Sequence, residues 1–227
     1  MVTEENKSIF QNKILAWFVS EKRDFPWRQD LNPYKVLIAE KLLQQTQVNE
    51  NVIRAYKQLL KKYPSPTDLA EADIADVEVI IRPLGFIYRA RELCKMAQEL
   101  VKIHNGQVPN ELRKLLDLTG IGDYCARAVL SFSFDKDVPI VDTNVARFLY
   151  RLYEIPGPFP SNPARKKSLI ELAGNLVPIG NSRNYNLAIL DLCSKICKPT
   201  NPNCLNCPVQ DFCKYGTKQI VKKNISP

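Results

Sequence analysis

The chain has 227 residues, 45% hydrophobic and 25% charged, which is the composition of a globular protein with one large or two small cores. No apolar run reaches the ~18 residues of a membrane span and no signal-peptide pattern opens the chain, so we expect a cytoplasmic protein. The net charge of +8 suits a polyanion such as nucleic acid, although a solvated basic surface would give the same value. The chain has one histidine, which excludes HExxH zinc sites because these need two.

Apolar residues recur at helical spacing along most of the chain, so the predicted fold class is all-α. Strand signals are weak, because the best candidate, 138–141, is short and contains Pro139. The predicted helices cover residues 9–20, one or two within 36–63, then 68–72, 77–81, 88–104, 112–118, 122–132, 144–153, 165–177 and 184–196.

Two glycines, Gly120 and Gly122, bracket Ile121 between the predicted helices 112–118 and 122–132. Glycines allow a sharp turn there, and backbone N–H groups at the start of a helix attract anions such as phosphate. Asp142 follows downstream and adds a carboxylate, either for chemistry or as the N-cap of the helix beginning near Asn144. A phosphate-binding turn followed by a single acid suggests an enzyme that acts on nucleic acid.

Four of the seven cysteines crowd the C-terminal region with six, two and five residues between them. In a reducing compartment such a cluster indicates metal binding rather than disulfides, and four unrelated thiols are a poor explanation at this density. Four thiolates suit either a tetrahedral zinc or a [4Fe–4S] cluster. The four cysteines are Cys197, Cys204, Cys207 and Cys213. The others, Cys94, Cys125 and Cys193, fall on apolar helix faces and are predicted to be buried thiols.

The cysteine spacing resembles the iron–sulfur loop of the endonuclease III and MutY superfamily of DNA glycosylases, also called HhH-GPD. The glycine turn with its downstream aspartate resembles the helix-hairpin-helix motif and catalytic aspartate of the same family. Both signatures occur in the family's order, and the resemblance extends from about Trp17 to Cys213. It implies a structural [4Fe–4S] cluster on the four cysteines, double-stranded DNA as partner, and hairpin residues Gly120, Ile121 and Gly122 against a phosphate.

The resemblance also implies a catalytic set. Asp142 would stabilise the positive charge that develops on the sugar as the N-glycosidic bond breaks. Tyr124 stands where bifunctional members have a lysine, and a phenol cannot form their Schiff base, so hydrolysis without lyase activity is expected; otherwise Tyr124 only packs between helices. Glu40 would protonate or hydrogen-bond the leaving base; alternatively it is a solvated residue paired with Lys41 or Gln44.

Gln44, Gln45, Thr46 and Gln47 follow directly, and their polar side chains would fill the space of a flipped-out base and contact its orphaned partner. The alternative is a solvated helix end. This stretch looks like MutY, which removes adenine opposite guanine or 8-oxoguanine. The absence of a further 8-oxoguanine domain instead favours the Mig type, which removes thymine or uracil opposite guanine. A non-catalytic DNA-binding module is a third reading.

The implied architecture has two helical lobes with a cleft, and the protein is expected to act as a monomer on mismatched DNA. One predicted domain covers residues 32–144 and contains the hairpin. The other combines residues 1–31 with 145–227 and contains the cysteine loop. Asp142 and Glu40 are expected to face each other across the cleft near Tyr124.

Overall fold

Helices account for the regular structure of the computed structural model, which describes residues 2–225, and no strand occurs within these residues. The predicted all-α class is confirmed, and residues 138–141 are irregular. In chain order the α-helices are α1 (Lys7–Glu21), α2 (Pro26–Gln29), α3 (Pro33–Leu43), α4 (Glu50–Lys62), α5 (Pro66–Ala70), α6 (Ile74–Ile81), α7 (Arg89–His104), α8 (Leu112–Leu116), α9 (Asp123–Phe134), α10 (Thr143–Tyr153), α11 (Lys167–Gly174), α12 (Ser182–Lys195) and α13 (Lys214–Ile225). None of these helices is long and apolar enough to cross a bilayer.

Short polar side chains determine where several helices begin. Asn32 and Asn49 each accept backbone N–H groups at the start of α3 and α4. Ser65 and Asp68 form a reciprocal capping box at the start of α5. At the other end of α7, Asn105 adopts a left-handed conformation with φ of 52°, which ends the helix.

The chain divides into two compact units, one formed by residues 24–134 and the other by the segments before and after it. The predicted domain boundaries, 32 and 144, lie further along the chain. Residues 24–134 contain α2 to α9, with α3 packed against α4 and α9, and α5 packed against α7. Their core includes the fully buried Leu37, Ile38 and Leu93.

The other unit contains α1 and α10 to α13. Helix α1 packs along α12, and α10 contacts α11, α12 and α13. Phe10 of α1 is fully buried and meets Phe212 edge-on, with ring centroids 5.5 Å apart. Asp191 of α12, also fully buried, accepts hydrogen bonds from the backbone N–H and the guanidinium of Arg23 at 2.9 and 2.5 Å.

Among the α-helices of residues 2–225, α2 and α13 lie outside the sequence prediction. Helix α2 is a single turn and begins at a proline, so it has no periodic pattern from which it could be read. Helix α13 opens with a polar stretch that includes Gly216, and its pattern lacks an apolar stripe.

Candidate active site and iron–sulfur loop

The glycine turn connects α8 to α9, as predicted, and its two glycines meet different surroundings. Gly120 has φ of 72°, and a Cβ added there would overlap the Lys41 ammonium and the Glu92 carboxylate. A Cβ on Gly122 would meet nothing within 4 Å. Ile121 is buried and donates its N–H to the Leu118 carbonyl at 3.2 Å. The turn therefore presses one glycine against the protein and leaves the other, just before α9, open to a ligand.

Side chains from α3 and α7 hold this turn in place. Lys41 and Gln44 both donate to the Gly120 carbonyl, each at 3.0 Å. Glu99 accepts the backbone N–H and the hydroxyl of Thr119 at 2.7 and 2.6 Å. A proline at position 119, which has no N–H, could not make the first of these contacts.

The polar segment Gln44–Gln47 follows the end of α3. Gln45 and Gln47 are exposed, whereas Gln44 and Thr46 are half-buried. Gln45 adopts a left-handed backbone conformation with φ of 55°, which is uncommon outside glycine.

Arg89, a fully buried residue of α7, fixes this conformation. Its guanidinium donates to the Leu42 carbonyl at 3.0 Å, to the Thr46 hydroxyl at 3.1 Å and to the Gln44 carbonyl. It also stacks on Phe86, 4.2 Å from the ring centroid. The structure thus brings Gln44 to the hairpin and leaves Gln45 and Gln47 facing outward.

Glu40 and Tyr124 belong to the same unit as the hairpin. Glu40 is 5% exposed on α3, within electrostatic range of the Cys125 thiol, so the alternative of a solvated helix residue does not hold. Burial raises the pKa of Cys125, and the Glu40 charge raises it further. Tyr124 is the second residue of α9 and is half-buried.

Asp142 is the N-cap of α10, as its alternative role predicted. One carboxylate oxygen accepts the Val145 N–H at 2.7 Å, and the other accepts the side-chain amide of Asn144 at 2.8 Å. The side-chain oxygen Oδ1 of Asn144 in turn accepts a hydrogen bond from Arg147 at 3.0 Å, and Arg147 also donates to the Cys197 carbonyl at 2.9 and 3.1 Å. A chain of hydrogen bonds therefore links the Asp142 carboxylate to the first cysteine of the cluster loop.

The four C-terminal cysteines line one cavity together with Phe148, Ile196 and other side chains. Among residues 2–225, no three His, Cys, Asp or Glu side chains lie close enough together to share one metal ion. In a [4Fe–4S] cluster each thiolate binds a different iron, whereas a Cys₄ zinc site gathers all four around one ion. The four cysteines around one cavity supply the number and kind of donors that a [4Fe–4S] cluster requires.

Backbone N–H groups and a guanidinium already point at the sulfurs. Gly216 donates to Cys213 Sγ at 3.3 Å and Arg151 to Cys197 Sγ at 3.4 Å. Burial raises the pKa of the Cys207 thiol to about 12 and also raises that of Cys213. Such thiols lose their protons when iron binds, and N–H···S contacts of this kind support the resulting thiolates.

The three remaining cysteines, Cys94, Cys125 and Cys193, are buried free thiols, as predicted. Cys193 lies beneath the start of α10 and donates to the Asn144 carbonyl at 3.4 Å.

Comparison with known families shows which family the hairpin and the cysteine loop belong to. A family model described as HhH-GPD superfamily base excision DNA repair protein matches residues 38–178. The chain belongs to this superfamily. A second model, the iron-sulfur binding domain of endonuclease III, matches residues 197–213, the span from the first to the last cysteine of the loop. The predicted family, DNA substrate and [4Fe–4S] cofactor are confirmed.

Within the HhH-GPD superfamily the chain resembles enzymes of both predicted specificities. It is 35% identical to a thymine/uracil-DNA glycosylase of Pyrobaculum aerophilum over 92% of this chain and 93% of the relative. It is 36% identical to the adenine DNA glycosylase of Rattus norvegicus over 90% of this chain and 41% of the relative. A solved structure of a thermostable thymine-DNA glycosylase superposes with a TM-score of 0.86 at 32% identity, covering 94% of this chain and 98% of that chain.

Sequence reasoning did not single out Lys41, Arg89 or Arg147, which hold the predicted site residues in place. Lys41 left a signal, since it is a charged residue inside the apolar run 36–43, next to Glu40. Most partners of Arg89 and Arg147 are backbone carbonyls, which no sequence pattern identifies.

Proposed function

We propose that the protein is a monofunctional DNA glycosylase that hydrolyses the N-glycosidic bond of thymine or uracil mispaired with guanine. The observation that carries the proposal is the carboxylate of Asp142, oriented on both oxygens by the start of α10 and by Asn144. A thymine/uracil-DNA glycosylase is similar along nearly its whole length, and the fold superposes on a thymine-DNA glycosylase.

Asp142 is proposed to act on the sugar. The target nucleotide must leave the base stack before its C1′–N bond can be reached. As that bond breaks, positive charge develops on the sugar, and an oriented carboxylate stabilises it and directs the attacking water. Since Val145 and Asn144 fix both oxygens, the carboxylate needs little rearrangement during the reaction.

Glu40 is proposed to act on the base. Departure of a pyrimidine leaves negative charge on its ring, and a buried carboxyl group can donate a proton or hydrogen bond to it. Glu40 is 5% exposed and is held on the rigid helix α3, which suits this role.

Tyr124 is proposed to restrict the reaction to hydrolysis. Lyase chemistry of this family requires an amine that attacks C1′ and forms a Schiff base. A phenol at the second residue of α9 cannot do so, so the expected product is an intact strand with an abasic site.

Binding is proposed to use the hairpin and the polar segment. The amides around Gly122, at the start of α9, would contact a backbone phosphate, and such contacts position the DNA without reading its sequence. Gln45 and Gln47 would enter the space of the flipped base and contact the orphaned guanine. The left-handed conformation of Gln45, fixed by Arg89, supports this role because backbone strain of this kind clusters at functional sites.

The cluster loop is proposed to use Cys197, Cys204, Cys207 and Cys213 as ligands. The bound cluster supplies a structural cross-link rather than redox turnover. Arg151 and Gly216 already contact two of these sulfurs, and Arg147 connects the loop to Asn144. Action as a monomer and a cytosolic location stay predictions.

The test is incubation with duplexes containing G·T, G·U, A·G or A·8-oxoguanine, each analysed with and without alkali. We expect strand breaks at thymine and uracil opposite guanine, and only after alkali. Breaks without alkali would contradict the monofunctional assignment.

Adenine excision is the second candidate, because an adenine DNA glycosylase is equally similar in identity. Cleavage confined to the adenine of the A·G and A·8-oxoguanine duplexes would replace the thymine assignment with this one. Binding to all four duplexes without any excision would indicate a non-catalytic module.

A further inference from the structure

Lys41 is a charged side chain that the proposed chemistry does not use, and it is fully buried in the unit formed by residues 24–134. Its ammonium contacts Glu92 Oε2 at 2.7 Å, the Gly120 carbonyl at 3.0 Å and Gln44 Oε1 at 3.2 Å. Burying an ammonium is costly even when it is paired, and an apolar side chain of similar size is often as stable at such a position. Stability alone therefore does not explain this lysine.

The partners of Lys41 come from three segments, and the proposed function uses two of them, the hairpin and the polar segment. Gly120 belongs to the hairpin, Gln44 begins the polar segment, and Glu92 lies on α7, one turn beyond Arg89. The Gln44 amide reaches the Gly120 carbonyl as well, at 3.0 Å. Lys41, Gln44 and Gly120 thus form a closed triangle of hydrogen bonds.

This triangle fixes the direction of a peptide plane in the hairpin. Because a trans peptide is planar, a carbonyl held inward sets the direction of the following N–H. Two donors hold the Gly120 carbonyl, and the Ile121 N–H that follows it bonds to the Leu118 carbonyl. The first amides of α9 follow this peptide in the chain, so its direction also sets theirs.

Charge gives a second reason for the lysine. Glu92 is 31% exposed and lies close enough to Gly120 to exclude a Cβ there. A lone carboxylate beside a phosphate-binding turn would repel the phosphate. The Lys41 ammonium at 2.7 Å balances this charge.

We propose that Lys41 is a positioning residue that locks the polar segment to the hairpin, so that gripping the phosphate also presents Gln45 and Gln47 to the mispaired base. Lys41 touches no substrate in this role. It fixes the position of the polar segment, which reads the mismatch, relative to the hairpin, which contacts the phosphate and reads no sequence. The inference rests on the proposed function, since it assigns the hairpin to phosphate and the polar segment to the mispair.

The test compares binding to a G·T duplex and to the same duplex with G·C, at one fixed salt concentration. All variants carry Asp142→Asn, so that no base is removed during the measurement. The decisive variant is Lys41→Met with Glu92→Gln, which removes both charges and leaves no unpaired buried ion. Lys35→Met with Asp30→Asn is the matched control, because it removes another charge pair of a lysine on the same helix, near the surface.

We expect the double variant to lose about tenfold in its preference for the mismatch, with affinity for the G·C duplex changed by less than about threefold. The midpoint of its urea unfolding curve should stay near that of the parent, and Lys35→Met with Asp30→Asn should keep the full preference. Gln44→Leu removes the other donor to Gly120 without a change of charge and should lower the preference in the same direction.

Retention of the full preference by the double variant would overturn the inference and leave the proposed function intact. An equal loss of affinity for both duplexes would also overturn it, because a purely structural or electrostatic role acts on all DNA alike. If the parent shows no mismatch preference at all, the proposed function fails together with the inference.

Discussion

The hairpin and the start of α10 both present polar groups for the proposed reaction, but the protein holds them by different means. In residues 24–134 the hairpin is held by side chains of other elements: Lys41 and Gln44 donate to the Gly120 carbonyl, and Glu99 accepts from Thr119. In the other unit Asp142 is oriented by the helix that it caps and by Asn144, which Arg147 connects to the cysteine loop. The first support lies within the hairpin's own unit and its helices, whereas the second ends at Cys197, the first cysteine of the cluster loop.

The difference suggests how each region tolerates change. The hairpin has two separate anchors, so removing one leaves the other. The hydrogen bonds from Asp142 through Asn144 and Arg147 to Cys197 depend on one another in sequence. Breaking one of them therefore loosens the residues between the break and Asp142. Iron loss should therefore loosen the Asn144 contact to Asp142 while leaving the Val145 contact and the hairpin in place.

The largest expected effect comes from Asp142→Asn. Asparagine is as good an N-cap as aspartate, so α10 should remain folded. Excision should fall by about 10²–10³-fold because the charge that stabilises the sugar is lost. Single-turnover rates on a G·T duplex measure this loss, and thermal unfolding checks the fold. Excision at the parent rate would remove Asp142 from the proposed mechanism.

A smaller effect is expected from Arg147→Met, which keeps the aliphatic part of the side chain but removes the hydrogen bonds to Asn144 and Cys197. The Cys193 and Cys197 carbonyls lose a charged donor, at a cost of about 1–3 kcal/mol in the free energy of unfolding. The excision rate and the iron content per protein should both fall, while affinity for undamaged duplex stays near normal.

Lys167→Met is the control for Arg147→Met. It removes one positive charge from the same unit at an exposed side chain, and it should leave both the excision rate and the iron content unchanged. A normal iron content and a normal excision rate in Arg147→Met would show that the hydrogen bonds from Asp142 to the cysteine loop are not needed for function.

The smallest effect is expected from Thr119→Val, which deletes one of the two contacts to Glu99. Losing a hydroxyl that donates to a carboxylate should lower the free energy of unfolding by about 1–2 kcal/mol, measured by urea denaturation. Affinity for DNA should change by less than about threefold, because Lys41 and Gln44 still hold the hairpin. A tenfold loss of affinity would contradict the view that the two anchors are independent.

Periodicity and spacing were sufficient for most of the fold. The longer helices follow from apolar residues at helical intervals, because each must bury one stripe against a neighbour. Helix α2 was not predicted, since a single turn is too short to show a helical period. The hairpin and the cysteine loop could be predicted because closely spaced glycines indicate a tight turn and closely spaced cysteines indicate a metal or cluster site.

The sequence by itself determined the all-α class, the superfamily, the iron–sulfur loop and the position of the Asp142 cap. These depend on local patterns, in which the residues that matter are close together in the chain. Only the tertiary structure decided that Lys41 is buried against Gly120, 79 residues away, and that Arg89 shapes the turn at Gln45. Such contacts join side chains to backbone groups of distant segments, and every residue has the same backbone groups, so no pattern of residue types identifies the partner.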